Sequence, residues 1–144
     1  MKKYYLWFTI ADKNFKLIDM KFPENLKYTK EHEWIKVEGD EATIGITEHA
    51  TSELGDIVFL EIETVGETLA AGDTFGTVEA VKTVSDLFMP VGGEVMEVNP
   101  KLEDTPEIIN QDPYGQGWLI RIKIKNPDEI KDLLSAEDYK DLIE

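Results

Sequence analysis

Lys82 stands ten residues after Gly72 and three after Glu79, and the stretch that follows it closes on Pro90-Val91-Gly92-Gly93. Two runs, Thr74 to Ala80 and Thr83 to Met89, read as strands with only Val81-Lys82 between them, which predicts a hairpin with the lysine at its tip. A lysine there has no neighbours to cover its ε-ammonium. The flanking strands fix its Cα while its stem stays mobile. A solvated ammonium keeps its proton at neutral pH and makes a poor base, so the position suits covalent attachment instead. Glu79 is placed to face either a modifying enzyme or the local turn. Surface lysines ordinarily only solvate. Among the fourteen lysines, Lys82 is set apart by the coincidence of Gly72-Asp73, Glu79 and Pro90-x-x-Gly93 around it.

Other chemistries are poorly served. There is no cysteine, which removes thiol catalysis, disulfides and cysteine-based metal sites. Any sulfur redox chemistry must come from an attached group. His32 and His49 are the only histidines, and their spacing is not that of a zinc motif, so no metal is expected. No nucleophile elbow or Gly-rich phosphate loop is present, so the chain reads as something other than a self-sufficient enzyme.

The positioning elements are mostly short strands. Trp34 to Val37 and Ala42 to Ile46 flank the turn Glu38-Gly39-Asp40. Thr47 to Leu54 predicts about two helical turns, with Thr47 as N-cap and Gly55 past the end. Ile57 to Glu63 reads as a strand with Val58, Leu60 and Ile62 on one side, and Glu94 to Val98 alternates cleanly. In Trp118 to Ile124, residues Trp118, Ile120, Ile122 and Ile124 fall on one face. Trp34, Trp118 and this stripe are expected in the core. Asn126, Pro127 and Glu129 form a helix-start signature that Ser135 and Asp138 repeat, which predicts a C-terminal helical pair. Closely spaced turns between short strands predict a mainly β fold, a barrel or sandwich with short helices.

The formal net charge is −15, with Arg121 the only arginine. That excludes nucleic acid, whose binding needs a cationic surface, and disfavours anionic membranes. It favours partners with basic patches. Lys2-Lys3 and the apolar run Tyr4 to Ala11 imitate a signal peptide, but the run is short, aromatic-rich and lacks a cleavage pattern. It is also too short to span a bilayer. Residues 1–22 are read as an N-terminal extension, with translation expected to begin at Met20, and 23–144 as one domain of a cytoplasmic protein.

The hairpin pattern resembles the biotinyl/lipoyl-carrier domains, flattened β-barrels of two quasi-symmetric halves with the modified lysine at a hairpin tip. Biotin carriers usually place it between two methionines, whereas Val81 and Thr83 flank it here. Lipoyl domains of 2-oxo-acid dehydrogenase complexes usually have Asp before the lysine, where this chain has Val81. The wider text resembles the H-protein of the glycine cleavage system. Tyr28-Thr29-Lys30-Glu31-His32-Glu33-Trp34 looks like its opening. Gly45-Ile46-Thr47-Glu48-His49-Ala50, Leu54-Gly55-Asp56-Ile57-Val58, Phe75 to Lys82, Ser85-Asp86-Leu87, Gly93 to Asn99, Asp112 to Ile120 and Leu133-Leu134-Ser135 follow in the family's order. The resemblance runs from about Pro23 to Glu144. Ala80 departs from it, standing where Ser is common, and residues 1–19 have no counterpart.

The resemblance implies lipoate in amide linkage to Lys82. It also implies a carrier that takes the aminomethyl group of glycine from the P-protein (a decarboxylating glycine dehydrogenase) to the T-protein (an aminomethyltransferase). The L-protein, a dihydrolipoyl dehydrogenase, then reoxidises it, and lipoyl-attaching enzymes modify it. Tethering makes each transfer quasi-intramolecular after docking, with effective concentrations on the order of millimolar. By the same resemblance Glu33 is the carboxylate that holds the protonated amine of a parked arm in a surface cleft. Glu53 takes a cleft position where some members have His. Asp86 either orients the hairpin or simply exits its turn. Two alternatives share or spare the same lysine: a relay handing lipoyl groups to other 2-oxo-acid dehydrogenase complexes, and an interaction module with an unmodified lysine.

Overall fold

Trp34 and Ile35 are neighbours on one strand and therefore face opposite ways, yet both are buried. Two separate cores on the two sides of that strand account for this. The computed structural model describes residues 20–144; the expectation for 1–19 lies outside the described residues. In chain order these form β1 (Lys27–Tyr28), β2 (Glu33–Glu38), β3 (Glu41–Ile46), α1 (Glu48–Leu54), β4 (Ile57–Glu61), β5 (Thr68–Leu69), β6 (Thr74–Ala80), β7 (Val84–Phe88), β8 (Gly93–Val98), α2 (Ile108–Gln111), β9 (Ile120–Ile124) and α3 (Ala136–Ile143). Six strands make an antiparallel sheet in the order β1-β2-β3-β9-β8-β5, and β4-β6-β7 make a second sheet of three.

The main core lies between the sheets. Ile35, Ile44, Val95, Ile120 and Ile122 come from the larger sheet, and Phe75, Val78 and Leu87 from the smaller. Full burial of each such side chain stabilises by roughly 1.5–3 kcal/mol. The expected mainly β barrel or sandwich is thus realised as two packed sheets with short helices at their margins. The second core, on the other side of β2, gathers Leu26, Tyr28, Trp34, Ala136 and Tyr139. There Tyr28 stacks on Tyr139 at 4.8 Å, and the Trp34 indole N–H donates to the Pro113 carbonyl at 2.9 Å.

Gly45 lies opposite Trp34 across β2 and β3, and the indole fills the space a side chain would take. A Cβ at Gly45 would stand 2.6 Å from the ring. Gly45→Ala is therefore expected to destabilise by about 1–3 kcal/mol through overpacking, read as a lower urea midpoint at unchanged slope.

Three expectations are corrected. Trp118 is not part of the isoleucine stripe: β9 begins at Ile120, Leu119 enters the main core, and Trp118 packs against the second core. In β4 a bulge between Ile57 and Phe59 breaks the alternation. Val58 is left exposed, while Leu60 and Ile62 remain partly buried against the core. At the C-terminus Pro127–Asp132 is a 3-10 helix, so the pair is one 3-10 and one α-helix. The Asn126 side chain does cap it, but Glu129 accepts from the Gly92 amide at 2.8 Å instead of reaching back to its own helix start.

Candidate functional site

The spacings around Lys82 correspond to the base and the tip of one hairpin. At the base Gly72, with φ +89°, adopts the left-handed conformation that glycine tolerates best, and its amide donates to the Met89 carbonyl at 2.8 Å. The Asp73 carboxylate accepts from the Ala70 amide at 2.8 Å, and the Met89 amide bonds the Asp73 carbonyl at 2.8 Å. Beyond Pro90, a side chain on Gly93 would overlap the Lys123 carbonyl, so only glycine lets β8 approach β9 there.

At the tip the Ala80 amide bonds the Thr83 carbonyl at 2.8 Å, which leaves Val81 and Lys82 as the turn's central residues. Both are exposed. The tip is also tethered sideways, because the Val81 amide donates to the Asp56 carbonyl at 3.1 Å. That carbonyl belongs to the loop that ends α1. Thr47 starts α1, its hydroxyl accepting from the Ala50 amide, and Gly55 ends it at φ +82°. Asn110 then clamps the loop: its side-chain carbonyl accepts from the Ile57 amide at 2.9 Å and its amide donates to the Gly55 carbonyl at 2.8 Å. The Lys82 stem lies over Gly55, where an added Cβ would meet Cε at 3.6 Å.

Beside the hairpin runs a cleft of about 160 Å³ between α1, the start of β2 and β7. Ile46, Ala50, Leu54, Val78 and Leu87 form its apolar lining, and Glu31, Glu33, Glu53 and Asp86 supply carboxylates. Glu33 is only 2% exposed. One of its oxygens accepts from the Thr29 hydroxyl at 2.6 Å and the other from the Phe88 amide at 3.2 Å. Burial pushes its carboxyl up to about 7, against the opposing pull of these two hydrogen bonds. Glu33 is therefore an acid poised near neutrality inside the cleft, rather than a solvated edge residue.

His32 precedes it with φ 72°, a left-handed conformation uncommon outside glycine. Its backbone is held on both sides, its amide bonding the Thr29 carbonyl and its carbonyl accepting from the Thr47 amide. Its Nδ1 lies 2.8 Å from the Tyr139 hydroxyl, which also lies 2.8 Å from the Thr47 hydroxyl. Burial first, and then His49, hold the His32 imidazole below its usual range, with Glu31 and Glu53 opposing. Burial raises the Tyr139 phenol well above its ordinary range. Tyr139 thus stays protonated, and α3 braces the wall of the cleft through it.

The residues singled out in the sequence are not all in one place. Lys82, Glu33, Asp86 and Glu53 are grouped at the hairpin and its cleft. Asp86 lies in the middle of β7, opposite Thr77, so it does not exit the turn. Glu79 is exposed between Phe59 and Val84 in register, one row along the sheet from Asp86 and away from the cleft's apolar lining. Sequence reasoning missed Asn110, His32 and Tyr139 as positioning residues. The sequence signals for them were slight: an Asn after two isoleucines, and a Tyr on the apolar face of the helix that Ser135 starts.

A larger groove of about 440 Å³ lies elsewhere, between Phe59–Glu63 and Val98–Glu103. Among the described residues there is no cluster of His, Cys, Asp or Glu suited to a metal, and no helix is long and apolar enough to cross a membrane.

The glycine cleavage H-protein family matches residues 26–144. A glycine cleavage system H protein from Bacteroides thetaiotaomicron is 60% identical over 124 residues, covering 86% of this chain and 98% of that protein. One from Staphylococcus carnosus is 52% identical over the same shares. A crystal structure of a glycine cleavage system H protein from Mycobacterium marinum superposes with a TM-score of 0.71 at 41% identity, covering 81% of this chain and 94% of that one. The chain belongs to the glycine cleavage H-protein family.

Proposed function

We propose that this chain is the lipoyl carrier of a glycine cleavage system, with lipoate in amide linkage to Lys82. It takes the aminomethyl group from the P-protein to the T-protein and is restored by the L-protein. The observation that carries this reading is the exposed Lys82 on a hairpin braced at both ends, beside a cleft lined by both apolar side chains and acidic residues.

Lipoate supplies a disulfide–dithiol couple, which a chain without cysteine does not have. The chain's own residues supply position. The hairpin base and the Asp56 tether fix where the Lys82 stem begins. Ile46, Leu54 and Leu87 offer an apolar wall against which the hydrocarbon part of a lipoyl-lysine can lie. Glu33 accepts a charge-assisted hydrogen bond from a protonated cargo amine, and Glu31, Glu53 and Asp86 add negative potential around it. In this reading Asp86 orients the arm at the mouth of the cleft and Glu79 faces the enzymes that modify Lys82.

The test is direct. The purified chain is incubated with lipoate, ATP and a lipoyl-attaching ligase, and then analysed by intact mass and peptide mapping. One lipoyl group per chain is expected, confined to the peptide bearing Lys82. No adduct, or an adduct on another lysine, overturns the proposal.

A further inference from the structure

The outer face of the three-stranded sheet is bare and has an unusual pattern. Pairing places Phe59, Glu79 and Val84 in one cross-strand row, and side chains in such a row lie about 5 Å apart on the same face. Phe59 is 52% exposed and Val84 58%, and Val81 at the tip reaches 76%. With Val58 at the bulge, four of the seven large hydrophobics exposed among the described residues belong to this one sheet and its turn. The neighbouring row on that face is Glu61, Thr77 and Asp86. Apart from Lys82 itself, no cation belongs to either row or to the tip. By contrast, the opposite face of the same strands carries Val78 into the core.

We infer that the Phe59–Glu79–Val84 row, extended by Val81, is the docking surface for the enzyme that forms the lipoyl amide on Lys82. This rests on the reading of Lys82 as the attachment site. An enzyme using the finished arm can reach it at the arm's length from the hairpin. The attaching enzyme must instead bring its active site to the bare Nζ. The Lys82 stem is short and lies against Gly55, so that enzyme must cover the hairpin tip and the adjoining sheet face. The chemistry of the surface specifies its partner: an apolar depression for Phe59 and Val84, with arginine or lysine opposite Glu79 and Glu61. Exposed apolar side chains grouped on one face mark interaction sites, and the carboxylates between them select cationic partners. In the step itself the Nζ ammonium gives up one proton to the enzyme and attacks the activated lipoyl acyl carbon of an acyl-adenylate; the C–O bond to the phosphate breaks, AMP leaves, and a second proton is lost from nitrogen to solvent as the amide forms. No electrons are exchanged.

The test compares the full chain with Phe59→Ser, Val84→Ser and the double variant as substrates of a purified lipoyl-attaching ligase, supplied with ATP and lipoate and followed by intact mass. The double variant is expected to lose at least tenfold in kcat/KM, mainly through KM, with its unfolding midpoint near that of the parent. Phe59→Leu is expected to recover most of the loss. Raised salt should weaken modification of the parent. Met96→Ser, on β8 of the other sheet and 44% exposed, should behave as the parent. If the double variant is modified as fast as the parent, or Met96→Ser is impaired equally, the docking surface is wrong while Lys82 remains the attachment site. If the parent itself takes no lipoyl group at Lys82, the functional reading fails with it.

Discussion

Lys82→Arg is expected to leave a folded protein that takes no lipoyl group and has no carrier activity with the P-, T- and L-proteins. The fold should be nearly indifferent. The side chain is exposed at a turn whose hydrogen bonds are all backbone, Ala80 to Thr83 and Val81 to Asp56. Exposed substitutions of this kind usually shift stability by within about 0.5 kcal/mol. Charge and most of the stem are kept, so docking that depends on them is kept as well. What changes is the nucleophile: a guanidinium stays protonated at any workable pH and cannot attack an acyl carbon. The loss should therefore be complete rather than graded, with an unchanged urea midpoint and no lipoyl adduct on any of the thirteen remaining lysines. Carrier activity in this variant, or a lipoyl amide elsewhere in the chain, would remove the basis of the assignment.

The hairpin was legible because its determinants are local. Gly72-Asp73 at the base, two short strands and Pro90 to Gly93 beyond them each act within a few residues, and the helix after Thr47 is likewise set by its own caps. What escaped depends on partners distant in sequence. The bulge at Val58 arises from pairing with β6, so the alternation of β4 could not be read from β4 alone. Trp118 looked like the first member of an isoleucine stripe. Its place is taken from outside, by a second core that Trp34, Tyr28 and Tyr139 assemble from three separate segments. Glu33, outwardly an ordinary charged residue at a strand start, faces away from that core, toward α1 and β7, and these later segments leave it 2% exposed. Family resemblance pointed to Glu33, but its environment was visible only in the fold. Asn110 gave almost no sequence signal, since its two hydrogen bonds reach back 53 and 55 residues.

That environment makes the behaviour of Glu33 testable in both the free and the loaded carrier. Its carboxyl rises from 4.5 to about 7 because burial disfavours the charge, a differential on the order of 3 kcal/mol. Between about pH 4.5 and 7 the folded chain therefore binds more protons at this group than the unfolded chain, and its contribution to stability falls as pH rises. It is fully present below pH 4.5 and lost above 7. Glu33→Gln mimics the protonated form: its carbonyl can still accept from the Phe88 amide, and its amide can donate to the Thr29 hydroxyl. The variant should match the parent in urea unfolding near pH 4.5 and be more stable by up to about 3 kcal/mol near pH 8. Function should move the opposite way. If the loaded arm parks as proposed, its protonated amine beside Glu33 compensates the buried charge and should draw the carboxyl's titration below 7. Protection of the load should therefore persist to a pH below that value before it fails. Removing the carboxylate costs a charge-assisted hydrogen bond of about 1.5–3 kcal/mol, so the Gln variant should release its amine roughly ten- to a hundredfold faster at pH 8. Lipoylation at Lys82 should be unaffected, because Glu33 lies in the cleft and not at the turn. A gain in stability at pH 8 without faster release would make Glu33 a buried acid of the fold alone. Faster release at pH 8 with the difference vanishing in acid requires the carboxylate itself to hold the amine.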